Sequence, residues 1–210
     1  MAYGFLDIAL TPSVRKVQEQ MNADGIWSDF KGHRAFDRFS DNVAGYIAER
    51  DSFYLATVSE TGWPYVQYRG GPQGFLKVLD ERTLAFADYR GNRQYISTGN
   101  ATADGRACLL LMDYAQRARL KMYVHVEVLA LDADPDLTRQ VSVTGYKARL
   151  ERVFRLHLQA YDWNCSQHIT PRYTEQQIGE AVRPLRERLD TLASENARLR
   201  ARLANHGETP

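Results

Sequence analysis

The chain has 210 residues, enough for one substantial domain with an appendage. Hydrophobic residues make up 44% and charged residues 25%, which is typical of a globular protein. The 27 basic and 26 acidic residues leave a formal net charge of +1, so global charge gives no case for nucleic-acid binding. We expect no membrane span, because no apolar run approaches the roughly 20 residues that a span needs. We expect a cytoplasmic protein, because the N-terminus lacks a basic signal region and two cysteines form no disulfide framework.

The N-terminal part is expected to form two helices joined by an ordered loop. Pro12 follows Thr11 as at a helix start. A second helix is predicted over 41–50, capped by Ser40. Residues 22–39 between them carry scattered aromatic side chains, which predicts an anchored loop. Val14, Val17 and Met21 lie on one face of the first helix, and Val43 and Ile47 of the second helix are expected to point inward.

The middle of the chain changes to the pattern of β-strands. Six runs are apolar or alternating and are separated by turn residues: FYLATVSE, WPYVQYR, GFLKVLD, TLAFADY, RACLLLMDY and RLKMYVHVEVLAL. A helix is expected to open at Gly91, and another short one lies within DPDLTRQVSV. Residues 149–163 fit a helix or a strand, and we favour a strand that closes a barrel. The fold class is therefore mainly β with flanking helices, arranged as an antiparallel barrel.

The clearest periodic signal is a heptad pattern at the C-terminus. Two series of residues, each spaced by seven, interleave at four and three. One asparagine in the second series favours a parallel, two-stranded pairing, because it can bond to its own copy. We predict a homodimer with a coiled coil through Leu185, Leu189, Leu192, Asn196, Leu199 and Leu203.

Two other interpretations of this helix were weighed. It is amphipathic and could pack back on its own domain, but its other faces are strongly polar. A DNA-binding basic zipper needs a dense basic helix before the heptads. Here the preceding stretch, PRYTEQQIGEAVRPLR, contains two glutamates and Pro184, so we expect no nucleic-acid partner.

The segment from Gln67 to Gln94 carries the main chemical signal. Lys77 ends one strand run, Ala87 and Asp88 follow ten and eleven residues later, and Arg93 follows Asp88 by five. This spacing resembles the pyridoxamine 5'-phosphate oxidase-like family of FMN-binding split barrels. The resemblance covers roughly residues 40–175 and implies a split-barrel fold, bound FMN and a dimeric site.

Several residues depart from the family pattern or extend it. Pro72 stands where the family's strand begins with arginine, and Arg69 lies three residues earlier as a replacement. Gln94 stands where the family has a second basic residue. Arg119 falls where the family has a flavin-contacting glutamine. The resemblance implies cofactor-binding roles for Arg69, Pro72, Gln73, Gly74, Phe75, Lys77, Ala87, Asp88, Asn92, Arg93, Gln94, Arg119, Trp163 and Arg172.

The chemistry of FMN explains why these residue types suit it. Its phosphate needs fixed donors, which Lys77, Arg93 and the backbone at a helix N-terminus can supply. The glycine-rich stretch 70–74 would let the backbone approach a flat ring. The bound flavin performs hydride transfer, and the protein positions and polarises it.

A second group of residues lies in YDWNCSQHITPRY, residues 161–173. Trp163 and Arg172 match a family pair that reaches the flavin across the dimer interface. The pattern resembles a related subgroup rather than the vitamin B6 enzyme itself. Cys165 and His168 could form half of a metal site or a nucleophile pair, but no second pair has metal-ligand spacing, so we expect no metal. His168 is instead the candidate catalytic residue, touching flavin or substrate, or it serves only to satisfy backbone groups.

The sequence thus predicts three parts: an N-terminal helix and loop over 1–40, an FMN-binding split barrel over 41–175, and a coiled-coil helix and tail over 176–210. The expected function is FMN-dependent hydride transfer to or from a small molecule. One alternative is a non-catalytic flavin carrier or sensor that signals through its coiled coil. Another is an interaction protein whose barrel is only a scaffold. A fold alone does not distinguish these functions.

Overall fold

The computed structural model describes residues 4–25, 36–163, 167–205 and 207. The expectations that involve Trp27, Phe30 or Cys165 lie outside these residues. The chain divides into two compact units, Met1–Ile169 and Thr170–Pro210. No helix among the described residues is both long and apolar enough to cross a membrane. The predicted three-part division stays a prediction.

Among its described residues, the first unit is built on seven antiparallel strands, which correspond to the six predicted runs and the favoured strand over 149–163. They are β1 (Ser52–Val58), β2 (Pro64–Gly70), β3 (Lys77–Val78), β4 (Thr83–Tyr89), β5 (Arg106–Asp113), β6 (Ala118–Leu129) and β7 (Leu150–Trp163). Their order in the sheet is β2-β1-β5-β6-β7-β4-β3. The ambiguous segment is indeed a strand, but it lies inside the sheet rather than closing it. The predicted run GFLKVLD pairs only at Lys77 and Val78.

Among the described residues, five helices accompany this sheet in the first unit. They are α1 (Phe5–Ala9), α2 (Pro12–Gln20), α3 (Asp41–Ala48), α4 (Ile96–Ala103) and α5 (Pro135–Val141). The predicted starts of α2 and α3 are confirmed, because Thr11 and Ser40 accept hydrogen bonds from the first turns. The inward positions of Val43 and Ile47 are also confirmed, since both are buried, whereas the apolar face of α2 is exposed.

The sheet is open among the described residues, yet it curls into a barrel. Four strands separate β2 from β4 in the hydrogen-bonding order. A flat sheet would hold these two strands about 24 Å apart at the usual strand spacing. Instead the guanidinium of Arg69 on β2 lies 2.6 Å from the carboxylate of Asp88 on β4. The two ends of the sheet therefore meet, as in a split barrel.

Aromatic side chains fill the barrel where its two ends come together. Phe86 contacts Phe53, Phe75 and Phe154, with ring centroids 5.0 to 6.4 Å apart. All four rings are at most 1% exposed. Since these residues come from β1, β4, β7 and the segment before β3, the cluster ties distant parts of the chain into one core.

The second unit contains one helix, α6 (Glu175–Asn205), of 31 residues. A capping box sets its start: Gln177 donates its backbone N–H to the Thr174 hydroxyl, and the Gln177 side chain accepts from the Thr174 N–H. None of the residues in α6 is buried. The predicted C-terminal helix is therefore confirmed and begins ten residues before Leu185.

Candidate functional site

A cleft of about 200 Å³ lies where the two ends of the curled sheet meet. Its walls come from β2 between Tyr65 and Gly70, from β4 between Phe86 and Tyr89, and from the segment between Gly91 and Thr98 that leads into α4. Residues distant in sequence converge here because the sheet curls. The cleft is thus a product of the barrel and not of one local motif.

A buried ion pair forms the inner wall of the cleft. Arg69 and Asp88 are 2.6 Å apart, and their side chains are only 14% and 6% exposed. Arg152 on β7 lies 3.5 Å from the other carboxylate oxygen of Asp88. Burial raises the pKa of the Asp88 carboxyl above its ordinary value, while the two guanidinium groups oppose that rise. The Asp88 carboxylate therefore lies between the guanidinium groups of Arg69 and Arg152 and holds both in place.

Arg152 extends this network to the start of α4. Its guanidinium donates to the hydroxyl of Thr98 at 3.1 Å and to the carboxylate of Glu151 at 3.1 Å. It also lies 4.5 Å from the ring centroid of Tyr95, whose hydroxyl donates to Glu151 at 3.0 Å. These contacts fix the turn before α4 against the end of β7.

The turn before α4 presents donors that have no acceptor in the described part of the chain. Arg93 has an exposed guanidinium without a polar partner there and lines the cleft. Arg93 and Tyr95 both take left-handed backbone angles, with φ of 65° and 53°. Tyr95 is the N-cap of α4 and makes no side-chain capping bond, so the first N–H groups of the helix stay available. A free arginine beside an uncapped helix N-terminus suits an anion such as phosphate.

Two further features shape the cleft for a ligand. Asn92 holds the turn, since its side chain accepts from the Gln94 N–H at 3.1 Å and donates to the Gln94 side chain at 3.2 Å. The Tyr89 hydroxyl is buried and has no hydrogen-bond partner among the described residues. Burial raises the pKa of Tyr89, so this group remains a neutral hydroxyl. The Tyr89 ring packs with Ala85, Ala87 and Tyr146, on the face of β4 opposite Phe86, so it supports the cleft wall from behind.

Half of the predicted cofactor-binding residues meet in this cleft, and the rest lie elsewhere. The lining includes Arg69, Phe75, Ala87, Asp88, Asn92, Arg93 and Gln94. The residues outside the lining are Pro72, Gln73, Gly74, Lys77, Arg119, Trp163 and Arg172. Arg172 belongs to the second unit. For these seven residues, a role at the cofactor stays a prediction.

The structure corrects two local expectations about this region. The helix expected to open at Gly91 begins instead at Ile96, because left-handed residues break the backbone before it. The glycines were expected to admit a flat ligand ring. A Cβ at Gly71 would lie 2.7 Å from the Phe75 ring, and one at Gly74 would lie 3.0 Å from the Ala48 carbonyl oxygen. These two glycines are therefore needed for packing inside the protein.

Trp163 does not line the cleft of its own chain and lies in a polar and aromatic cluster. Its ring makes an edge contact with Tyr46 at 4.8 Å, and Arg50 lies 4.5 Å over the same tyrosine. Arg50 also pairs with Asp113 at 2.7 Å. Burial is the main cause that raises the pKa of Tyr46 to about 12. Trp163 is 39% exposed, so one face of its ring is available to another molecule.

The thiol and imidazole alternatives gain no support from the described residues. His168 is exposed at a left-handed turn and lies outside the cleft lining. Burial raises the pKa of the Cys108 thiol, which lowers its reactivity. In the part of the chain that is described, no three acidic, histidine or cysteine residues are grouped to hold a metal ion.

Several residues of the cleft were not predicted from the sequence. Tyr65, Gln67 and Tyr68 line it from β2, and Tyr95 and Thr98 line it from the start of α4. The period of two in β2 places Tyr65, Gln67 and Arg69 on one face, so that signal was available. Nothing in the sequence pairs Arg152 with Asp88, because β4 and β7 become neighbours only in the folded sheet.

The curled antiparallel sheet, with a cleft where its two ends meet, is that of the FMN-binding split-barrel class. The model of the pyridoxamine 5'-phosphate oxidase family matches residues 39–162. That match covers more than half of the chain, so the chain belongs to this family. None of the curated proteins matches this sequence.

Solved structures resemble the chain at low sequence identity. HupZ from Group A Streptococcus is 12% identical with a TM-score of 0.49, and the match covers 64% of this chain and 99% of HupZ. An FMN-binding protein from Syntrophomonas wolfei is 17% identical with a TM-score of 0.41, over 73% of this chain and 95% of that one. An F420 reductase is 18% identical with a TM-score of 0.39, over 55% and 93%.

Proposed function

We propose that the protein is an FMN-dependent oxidoreductase that transfers a hydride between a small molecule and the flavin. The observation that carries the proposal is the cleft, in which an arginine without a polar partner among the described residues lies beside an uncapped helix N-terminus. Together with membership of the family, these features favour a phosphorylated ligand with a flat ring. When bound, FMN supplies the hydride acceptor, and the protein supplies position and polarity.

The phosphate end of the cofactor fits the turn before α4. Arg93 offers a planar guanidinium, and the N–H groups of Ser97 and Thr98 lie in the first turn of the helix. Asn92 is held by Gln94 and keeps this turn in shape. The departure at Gln94 from the family's second basic residue leaves Arg93 as the main positive charge at this end.

The ring end of the cofactor fits the wall formed by β2 and β4. Arg69 is fixed there by Asp88 and is positioned to polarise a ring carbonyl or a substrate anion. Tyr65 and Tyr68 provide flat apolar surface on the same wall. Pro72, Gln73, Gly74 and Lys77 follow β2 directly in sequence, and we keep them as proposed ring contacts on the family resemblance.

A second copy of the chain is proposed to complete the site. One chain encloses about 200 Å³, whereas pockets for small ligands usually span about 300–1,000 Å³. Trp163 does not line the cleft of its own chain and is 39% exposed. We propose that Trp163, with Arg119 and Arg172, contacts the cofactor in the cleft of the partner.

Mixed dimers test this shared site. One chain carries Arg93→Gln, which impairs the phosphate end, and the other carries Trp163→Ala. If the two residues serve one cleft from opposite chains, the mixed dimer contains one intact cleft and one doubly altered cleft. We expect it to bind one FMN tightly, while each variant alone binds two weakly. Weak binding at both clefts of the mixed dimer would place Trp163 and Arg93 in the same chain's site.

The colour of the purified protein tests the cofactor assignment. We expect a yellow protein with flavin absorbance bands that releases FMN on denaturation. A colourless protein that takes up no added FMN would overturn the proposal. Uptake of the deazaflavin F420 in preference to FMN would keep the oxidoreductase class and replace the cofactor.

Reduction experiments then separate an enzyme from a carrier. The flavin is photoreduced without oxygen, and its reoxidation is followed after adding air or an oxidised nicotinamide. An oxidase is expected to reoxidise rapidly in air, and a reductase rapidly with the nicotinamide. Reoxidation no faster than that of free reduced FMN under both conditions would favour a carrier or sensor.

A further inference from the structure

The stripe of apolar residues along one face of α6, called the seam below, is longer than its leucines alone indicate. Because α6 begins at Glu175, two more apolar residues, Ile178 and Val182, continue the four-and-three spacing towards the N-terminus. Ile178 is 52% exposed, and Leu185 and Leu189 are each 66% exposed. The seam therefore has eight positions over four heptads: Ile178, Val182, Leu185, Leu189, Leu192, Asn196, Leu199 and Leu203.

Pro184 does not interrupt this seam. It lies inside α6 two residues after Val182, on the outer side of the helix relative to the seam. Proline removes one backbone N–H donor, and its outward position keeps the ring away from a partner helix. The capping box at Thr174 stabilises the first turn, so the helix is defined from its start through the seam.

The seam has the chemistry that a second α6 would complete. We infer that α6 pairs in parallel and in register with α6 of a second copy, and that this pairing joins the two barrels of one homodimer. A partner with the same seam presents leucine to leucine at most layers. The one polar layer, at Asn196, then places two side-chain amides together, where each can donate to and accept from the other.

The asparagine also selects the orientation of the pair. In an antiparallel pair aligned over the same seam, Asn196 would face Leu185 twice and lose its amide partner both times. Charges do not discriminate, because Glu195 meets Arg200 of the other copy in the parallel pair and Arg188 in the antiparallel one. The antiparallel arrangement leaves two Asn196 amides without a hydrogen-bond partner, whereas the parallel arrangement lets them bond to each other. The parallel arrangement is therefore favoured.

Parallel pairing explains which barrels are joined. Paired helices lie about 10 Å apart, so both helix starts would be neighbours. The five residues 170–174 then span at most about 17 Å in each chain. The two Ile169 residues would thus stay within about 45 Å, which is close to contact distance for two barrels with radii of gyration near 15 Å. This second step rests on the proposed barrel dimer, whereas the pairing itself rests on α6 alone.

Two single-cysteine variants test the inference in the full chain. Val182→Cys and Leu199→Cys change seam positions that lie roughly 26 Å apart along one helix. In a parallel pair, each variant is expected to form a disulfide with its own copy under mild oxidation. In an antiparallel pair, neither variant forms a disulfide with its own copy. Only a mixture of the two variants then forms a crosslink. That crosslink joins the cysteine introduced at Val182 of one chain to the cysteine introduced at Leu199 of the other. The parent protein, with its native Cys108 and Cys165, gives the background.

The mass of the oxidised species decides which barrels are joined. We expect two chains per particle, each crosslinked to the other. Four chains, with crosslinks between separate barrel dimers, would overturn the assignment to one dimer, and a monomer would overturn the pairing. Flavin absorbance is measured on the same sample, so a colourless but crosslinked two-chain protein would refute the cofactor and leave the pairing intact.

A third variant guards against loss of folding at the cysteine positions. Asn196→Leu removes the polar layer and keeps the helix apolar along its whole seam. We expect the protein to lose its preference for two strands and to form larger or mixed assemblies, detected by light scattering. An unchanged two-chain particle with unchanged helix orientation would show that Asn196 does not specify the pairing.

Discussion

Arg93 offers the sharpest test of the phosphate end of the cleft. Changing Arg93 to glutamine keeps a polar but shorter side chain and removes the charge. A hydrogen bond to a charged partner contributes about 1.5–3 kcal/mol. Since Arg93 is exposed in the single chain, we take the lower half of that range, which corresponds to a roughly 10–40-fold rise in the Kd for FMN.

Riboflavin separates this contact from general effects, because it carries the same ring and ribityl chain without the phosphate. Titration by quenching of flavin fluorescence gives both Kd values for the parent and for Arg93→Gln. We expect the Kd for FMN to rise by the stated factor and the Kd for riboflavin to change less than twofold. Arg139→Gln is the charge-matched control, since Arg139 is an exposed residue of α5 outside the cleft, and it should alter neither value. Equal weakening of both ligands, or of neither, would refute the phosphate contact.

Three further predictions concern stability and assembly. Phe86→Ala removes the ring at the centre of the aromatic core and should lower the free energy of unfolding, measured in urea, by about 3–5 kcal/mol. The control Trp63→Ala changes a side chain that is 76% exposed and should alter this free energy by no more than about 0.5 kcal/mol. Equal effects of the two variants would contradict the core described above. Burial raises the pKa of Tyr46 from 10.0 to about 12, so its contribution to stability is complete below pH 10 and is lost as the pH rises towards 12. Between pH 9 and 11 the parent should therefore lose more stability than Tyr46→Phe, and parallel losses would refute this. Deleting residues 176–210 should weaken the dimer on dilution yet leave flavin bound at high concentration, and complete loss of flavin there would mean that the tail builds the site.

Local signals in the sequence were sufficient for most of the secondary structure. Alternating runs identified the strands, and side-chain caps identified the starts of α2 and α3, because both signals depend on residues close in sequence. The heptad pattern identified α6 for the same reason. The apolar face of α2 is nevertheless exposed, since an amphipathic pattern shows which residues share a face and not what covers that face.

The arrangement of the cleft was less accessible to sequence reasoning. Arg69 and Asp88 were both predicted as cofactor contacts, but their ion pair depends on the curl of the whole sheet. The start of α4 was misplaced because Arg93 and Tyr95 adopt left-handed angles, which local patterns favour for glycine and asparagine. Gly71 was assigned to a ligand although its neighbour is Phe75, a contact made by folding of the turn itself.

Hydrogen–deuterium exchange with and without FMN tests most directly whether the cofactor occupies this cleft. Backbone amides in the cleft walls should exchange more slowly when FMN is present, in β2 over 65–70 and in the segment 87–98. The first part of β5, over 106–110, lies outside the cleft lining, contains no proposed cofactor contact and serves as the internal reference. The account predicts protection concentrated in the two cleft segments. Protection elsewhere with no change in these segments would contradict it.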